Sequence, residues 1–197
     1  MDIVLATRNR KKVEEMKRMF SGHEITFKTL DAFPGCPEVD EDGQTFQANA
    51  KKKALTIARY TGCPALADDS GLEVKALDSA PGVFSARYAG EHADDKRNVK
   101  KILREMRTVI TKKERKARFV CCIAFALPDG TCRMFTGYVS GTIAATPKGY
   151  NGFGYDPIFY PIGHDRTFAE MADIEKDALS HRGRAMKKLY TYLRSIL

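Results

Sequence analysis

A nine-residue apolar run, 119–127 (FVCCIAFAL), stops at Pro128-Asp129-Gly130, and a second strand-like stretch follows at 131–139. The run is far too short to cross a bilayer as a helix. A Pro-Asp-Gly break between two such stretches is hairpin chemistry, so 118–127 is expected to be a buried strand paired antiparallel with 131–139. The rest of the chain has to be compatible with that pair. Brief apolar strands are expected at 2–6 and 25–29. Between and after them, apolar residues recur at helical spacing: Val13, Met16, Met19 and Phe20; Phe46, Ala50, Ala54 and Ile57, in a helix opened by Gln44 or Thr45; Val99, Ile102, Leu103 and Met106, within 94–108; and Met186, Leu189, Leu193 and Ile196. Helices alternate with strands while hairpins rule out a purely parallel sheet, which points to an α/β fold on a mixed sheet. No linker is long enough to separate two independent domains.

The five cysteines are odd in number and show no Cys-x-x-Cys spacing. Neighbours in a strand, Cys121 and Cys122 would face opposite sides of it. All five read as small buried hydrophobes in a reducing compartment. The first residues, MDIVLAT, carry no basic stretch or cleavage pattern of a secretory leader. A cytoplasmic protein is expected.

Several stretches carry more chemistry than structure alone requires. In 64–74 (PALADDSGLEV), Asp68 and Asp69 run into Ser70-Gly71 between two apolar pieces, a pattern expected to form strand, tight turn and strand, with an acid at the tip. Ordinary turn chemistry explains the same residues, because Asp and Ser side chains bond nearby backbone N–H groups. After the first strand comes Thr7-Arg8-Asn9-Arg10-Lys11-Lys12, with Thr7 or Asn9 as a helix N-cap. A helix start of that kind presents N–H groups and a positive dipole end to phosphate. The loop 31–43 ends Asp40-Glu41-Asp42-Gly43, acids that suit either a solvated cap or a hard cation such as Mg²⁺. Asn49 and Lys53 then fall one turn apart on the next helix. In 149–157 (GYNGFGYDP), glycines permit close backbone approach, and Phe153 or Tyr155 offers a ring to a planar base. Finally, Ser180 looks like the cap of the last helix, which puts His181 and Arg182 at an N-terminus, where cations are disfavoured unless an anion is near.

A net charge of +8 asks for an anionic partner. Much of it lies in 96–118, where eleven Lys and Arg face only Glu105 and Glu114. A basic stretch of this kind is usually the solvated face of a helix. No aromatic residues interleave with the charges between 96 and 116, so a stacking platform for nucleic-acid bases is absent and a small polyanion is the better match.

Taken in order, LATRNRKKVEE, EDGQTFQANAKKKA, ALADDSGLEV, PGVFSARYAG, GFGYDPIF and LSHRGRAMKKL make the chain resemble the inosine/xanthosine triphosphate pyrophosphatase family, the Ham1-like purine nucleoside triphosphatases, over nearly its whole length. The resemblance implies one two-lobed domain, 1–197, with a long mixed central β-sheet and α/β lobes on either side of a nucleotide-binding cleft. It implies Mg²⁺-dependent hydrolysis of ITP, dITP and XTP to the monophosphate and pyrophosphate, in a homodimer. By the same resemblance, Thr7, Arg8, Asn9, Arg10, Lys11 and Lys12 begin the triphosphate-binding helix and Lys53 contacts phosphate. Glu41 and Asp69 hold the metal, Asp69 accepts the proton, and Ser70 lies at the substrate. Phe153, Gly154, Tyr155, Asp156, Lys176, His181 and Arg182 form the nucleoside set. Tyr150-Asn151 departs from the small residues many members carry before GFGYD. The alternatives are a pyrophosphatase of other standard or modified nucleotides and, from another class, a basic nucleic-acid-binding protein.

Overall fold

A computed structural model describes residues 1–22, 24–90, 94–111 and 113–196. Among the described residues, six strands hydrogen-bond into one mixed sheet in the order β2-β1-β3-β4-β5-β6. They are β1 (Asp2–Leu5), β2 (Thr26–Thr29), β3 (Ala65–Val74), β4 (Lys116–Ala126), β5 (Cys132–Ile143) and β6 (Phe159–Pro161). The helices are α1 (Arg10–Met19), α2 (Phe46–Thr61), α3 (Asp95–Glu105), α4 (Asp173–Leu179) and α5 (His181–Ile196). By contact the chain divides into two compact units, residues 1–69 with 121–137 and 182–197, and residues 70–120 with 138–181.

In the first unit β1 lies parallel to both β2 and β3, with Val4 opposite Ala65 and Leu5 opposite Leu66. Alternation decides what these strands bury. Ile3, Leu5, Leu66, Cys121, Ile123 and Phe125 join one core cluster with Met16 and Phe20 of α1 and with Ala185, Met186, Leu189 and Leu193 of α5. α2 turns Phe46, Ala50, Ala54 and Ile57 inward. Thr45 caps α2 by accepting from the Ala48 N–H at 3.1 Å, and Gly62 ends it in the left-handed conformation, φ 65°. The predicted hairpin is present at the far end of β4, where the Leu127 N–H donates to the Thr131 carbonyl at 2.8 Å.

The second unit is built on β5 and β6, which pair antiparallel with Gly141 opposite Pro161. Its core joins Leu72 and Val74 to Val99, Ile102 and Met106 of α3, and to Phe119, Phe159 and Phe168. Phe119 lies 4.6 Å from Phe159 between ring centroids and stacks on His181 at 4.6 Å and 9°. The solvent side of α3 carries Lys96, Arg97, Lys100 and Arg104, all exposed, so much of the basic stretch is a helix face in water.

Two expectations are corrected. Asp68-Asp69-Ser70-Gly71 does not turn: β3 runs through it without a break from Ala65 to Val74. Turn propensity lost because buried cations and amides in the first unit satisfy both carboxylates where they stand, as described below. Just before Ser180, where the mix of acidic and basic residues in the sequence suggests a turn, the chain forms the helix α4. At seven residues, with Ile174 exposed and Lys176 buried, it shows no apolar periodicity to find.

Arg115 was not singled out by sequence, yet it ties the second unit together. Its guanidinium donates to the carbonyls of Ile143 (2.8 Å), Ala144 (2.8 Å), Met106 (3.0 Å) and Val109 (2.7 Å). These join the end of β5 to the chain leaving α3, and no carboxylate takes part in them. Arg115→Met keeps the length and removes the donors, stranding buried carbonyls. We expect it to lower unfolding free energy by about 3 kcal/mol, read as a lower urea midpoint at unchanged slope. An unchanged midpoint would show the clamp to be dispensable.

Candidate active site

β3 places consecutive carboxylates on opposite sides of the sheet, and the first unit treats them differently. Asp68 follows Leu66 on the side of α1 and α5, and it is fully buried. It pairs with Lys12 of α1, accepts from Arg182 Nε of α5 at 3.2 Å, and accepts from the Cys121 thiol at 2.9 Å. Arg182 is completed on its other side by Glu15 at 2.5 Å. Burial alone would push the Asp68 carboxyl up, but Arg182 and then Lys12 overcome it and hold it well below the usual carboxylate range. This aspartate stays charged and paired.

Asp69 turns to α2. It accepts from the Asn49 amide at 3.0 Å. Lys53, one turn further along α2, bonds the Asp68 carbonyl at 2.8 Å and ion-pairs with Glu41. Burial, first of all, and then the Glu41 charge push the Asp69 carboxyl up to about 6 against the pull of Lys53. A buried carboxyl whose proton affinity is raised in part by the charge of a second carboxylate, Glu41, suits a hard divalent cation. Among the described residues no group of three His, Cys, Asp or Glu completes a metal cage.

Beside this pair a pocket of about 140 Å³ is lined by Thr7 and Arg8 of the β1–α1 connection, by Glu38 and Glu41 of the acidic loop, and by Lys53. It is well below the ~300 Å³ and more of a drug-sized site, and nearer the scale of a phosphate group. Asn9, the α1 N-cap, accepts from the Lys12 N–H at 3.2 Å, and the Thr7 hydroxyl accepts from the Asn9 N–H at 3.2 Å. Arg10 and Lys11 open the helix and are exposed.

The glycine-aromatic loop belongs to the second unit. One oxygen of Asp156 accepts both the Phe153 N–H (2.8 Å) and the Lys176 ammonium (2.6 Å). Asp95 accepts the Gly154 N–H at 2.8 Å. Gly152 has φ +72°, and a Cβ there would lie 2.1 Å from that same Asp156 oxygen, so only glycine lets the loop close over the ion pair. The Lys176 ammonium also lies 4.8 Å from the centre of the Phe153 ring.

Of the two rings offered to a base, Tyr155 is built into the core and bonds the Ser85 carbonyl at 2.8 Å, while Phe153 stays half-buried. Arg182, expected in the nucleoside set, is 2% exposed, with three of its N–H groups on Asp68 and Glu15. His181 is buried against Phe119, and Ser70 is half-buried in β3. The structure thus gathers Lys12, Glu41, Lys53, Asp69 and Arg182 in the first unit and Phe153, Gly154, Asp156 and Lys176 in the second. Sequence reasoning missed Glu15, Asp95 and Cys121, none of which carries a local signal of its partner.

The family model described as the Ham1 family matches residues 3–192. The dITP/XTP pyrophosphatase of Streptomyces avermitilis is 46% identical over 197 residues, covering 99% of this chain and 98% of its own. That of Geobacter sulfurreducens is 48% identical over 191 residues, covering 97% and 96%. Among solved structures, a HAM1 protein from Coxiella burnetii superposes with TM-score 0.90 at 45% identity, 99% of each chain covered. The Staphylococcus aureus Ham1 protein gives 0.87 at 38%, with both chains fully covered.

The neighbouring aspartates should respond oppositely to the same change. Asp68→Asn leaves Arg182 and Lys12 short of their countercharge and is expected to cost about 3–5 kcal/mol of stability. Asp69→Asn removes a charge that the fold penalises at neutral pH, so the metal-free protein should gain up to about 3 kcal/mol. The pH dependence follows from the signs. Asp69, raised, binds its proton more tightly when folded, so stability increases as pH falls from about 6 toward 4. Asp68, lowered, supplies stability above the ordinary carboxylate range that is lost below it. Urea midpoints from pH 3 to 8 for both variants and the parent check this, and two shifts of the same sign would refute it.

Proposed function

The chain belongs to the Ham1 family, and from that premise we propose that it hydrolyses dITP, XTP and ITP to the nucleoside monophosphate and pyrophosphate, clearing these purines from the nucleotide pool. The observation that carries the reading is the pair formed by Asp69 and Glu41, with Lys53 ion-paired to Glu41, beside a pocket of phosphate scale. An oxygen of water bonds to the α-phosphorus, the bond from that phosphorus to the α–β bridging oxygen breaks, and the proton of the attacking water passes to Asp69. In the metal-free chain that carboxyl is pushed up to about 6, so it is ionised at neutral pH and more basic than an ordinary carboxylate, which favours it as the proton acceptor.

Glu41 and Asp69 would hold Mg²⁺, which when bound lowers the pKa of water and offsets phosphate charge. Lys53, and the N–H groups and cations of 7–12, stabilise the charge that develops on the departing pyrophosphate. Recognition of the base falls to the backbone at 153–156 with Phe153, Lys176 and His181. An oxopurine presents an acceptor at O6 and a donor at N1, and adenine reverses both, so a site matched to the first leaves buried groups unpaired with the second. Such a mismatch is worth on the order of 10⁴ in rate.

In this reading Arg182 acts through Asp68, as an anchor of the strand that carries Asp69. The chain acts as a homodimer in the cytoplasm, its two units being lobes of one domain, and its anionic partner is a nucleotide. No helix among the described residues is long and apolar enough to cross a membrane.

Products formed from dITP, XTP, ITP, GTP and ATP with Mg²⁺ test the reaction directly. Pyrophosphate and monophosphate are expected from the first three, with ATP nearly untouched; orthophosphate would move the attack to the γ-phosphorus and remove the mechanism. Asp69→Asn, which keeps the shape and cannot take the proton, should lower kcat by roughly 10²–10⁴. A near-parental kcat would place the base elsewhere.

A further inference from the structure

Asn49 is 1% exposed, and its two amide ends bond two parts of the same site, the acidic loop and Asp69. Its oxygen accepts the Gly43 N–H at 2.7 Å and its nitrogen donates to Asp69 Oδ2 at 3.0 Å. The orientation is forced: a backbone N–H can only donate and an ionised carboxylate can only accept, so the amide has one way to satisfy both. Gly43 stands two residues beyond Glu41 in the acidic loop. The same helix reaches that loop a second time one turn later, where Lys53 pairs with Glu41. Gly43 is shaped for the contact as well, since a Cβ there would lie 2.6 Å from the Asn49 oxygen and 3.0 Å from the Ala48 Cβ.

We propose that Asn49 is a positioning residue that sets Glu41 and Asp69 relative to one another, holding the acidic loop by the Gly43 amide and orienting the Asp69 carboxylate in a single bridge. No other side chain of that size does both. Aspartate would set a second carboxylate against Asp69, leucine would leave a buried N–H and a buried carboxylate oxygen without this partner, and serine falls short. The inference rests on reading Glu41 and Asp69 as the pair that holds the cation. Residues that orient ligands in this way are worth roughly 10–100-fold in metal affinity.

The experiment needs no turnover. In the parent protein without metal, hydrogen exchange should find the Gly43 amide protected well beyond an exposed loop amide, and an unprotected Gly43 amide overturns the proposal. Mn²⁺ binding without nucleotide, followed by EPR, should weaken about tenfold or more in both Asn49→Ala and Asn49→Leu. The leucine variant decides between roles, because it refills the space and supplies no hydrogen bond. Parental Mn²⁺ affinity in Asn49→Leu would mean that Asn49 only fills volume. A parent protein that leaves dITP and XTP intact, yet protects Gly43 and loses Mn²⁺ affinity in both variants, would end the proposed reaction and keep this inference. Pyrophosphate release by the parent with Mn²⁺ affinity indifferent to Asn49 would do the reverse.

Discussion

A carboxylate out of reach of water has to be met by cations, and Asp68 is met by two. Lys12 comes from the start of α1 and Arg182 from the start of α5, so one buried charge fastens both helices to the middle of β3. Glu15 brings a second negative charge to Arg182, and the Cys121 thiol turns its proton toward Asp68. Such a cluster contributes little net stability over an apolar core of the same volume, but removing one member leaves the others uncompensated. Its effect is therefore positional. It determines where β3 lies between its helix layers, and so where the next residue, Asp69, points.

That arrangement divides two chemically identical side chains into opposite roles. Asp68 is surrounded by permanent cations and cannot take up a proton under ordinary conditions. Asp69, one residue on and facing α2, is buried with an amide, an ammonium and a neighbouring carboxylate, and its proton affinity rises. The strand's two-residue period is the sole cause of the difference. A carboxyl of raised proton affinity and its structural anchor can thus be specified by adjacent codons, provided that the chain stays extended through both.

What the sequence made legible follows the same logic. The hairpin at 128–130, the cap at Thr45 and the apolar stripes of α1, α2, α3 and α5 depend on contacts a few residues apart, and local chemistry predicts those. The extended course of Asp68-Asp69-Ser70-Gly71 depends on Lys12, Arg182, Asn49 and Cys121, remote in sequence, so local rules favoured a turn. Tyr155 shows a similar blindness: an aromatic between glycines reads as a ligand-facing ring until Ser85, seventy residues earlier, is seen to accept its hydroxyl. Asn49 and Lys53 were noticed for their spacing, yet their targets, Gly43, Glu41 and Asp69, emerge only in the folded chain. α4 left no trace in the pattern because a helix of that length has no room to repeat one.

The Lys176 ammonium beside the Phe153 ring has a consequence for any flat ligand that comes there. An ammonium drawn to the electron-rich face of an aromatic ring occupies that face, and here it is also held by Asp156. A planar heterocycle can then approach from one side only, so the ring serves as a wall and not as half of a slot closed from both sides. Stacking against a wall is nearly indifferent to which base is stacked. Discrimination has to come from the rim of the heterocycle, where carbonyl and amine groups differ.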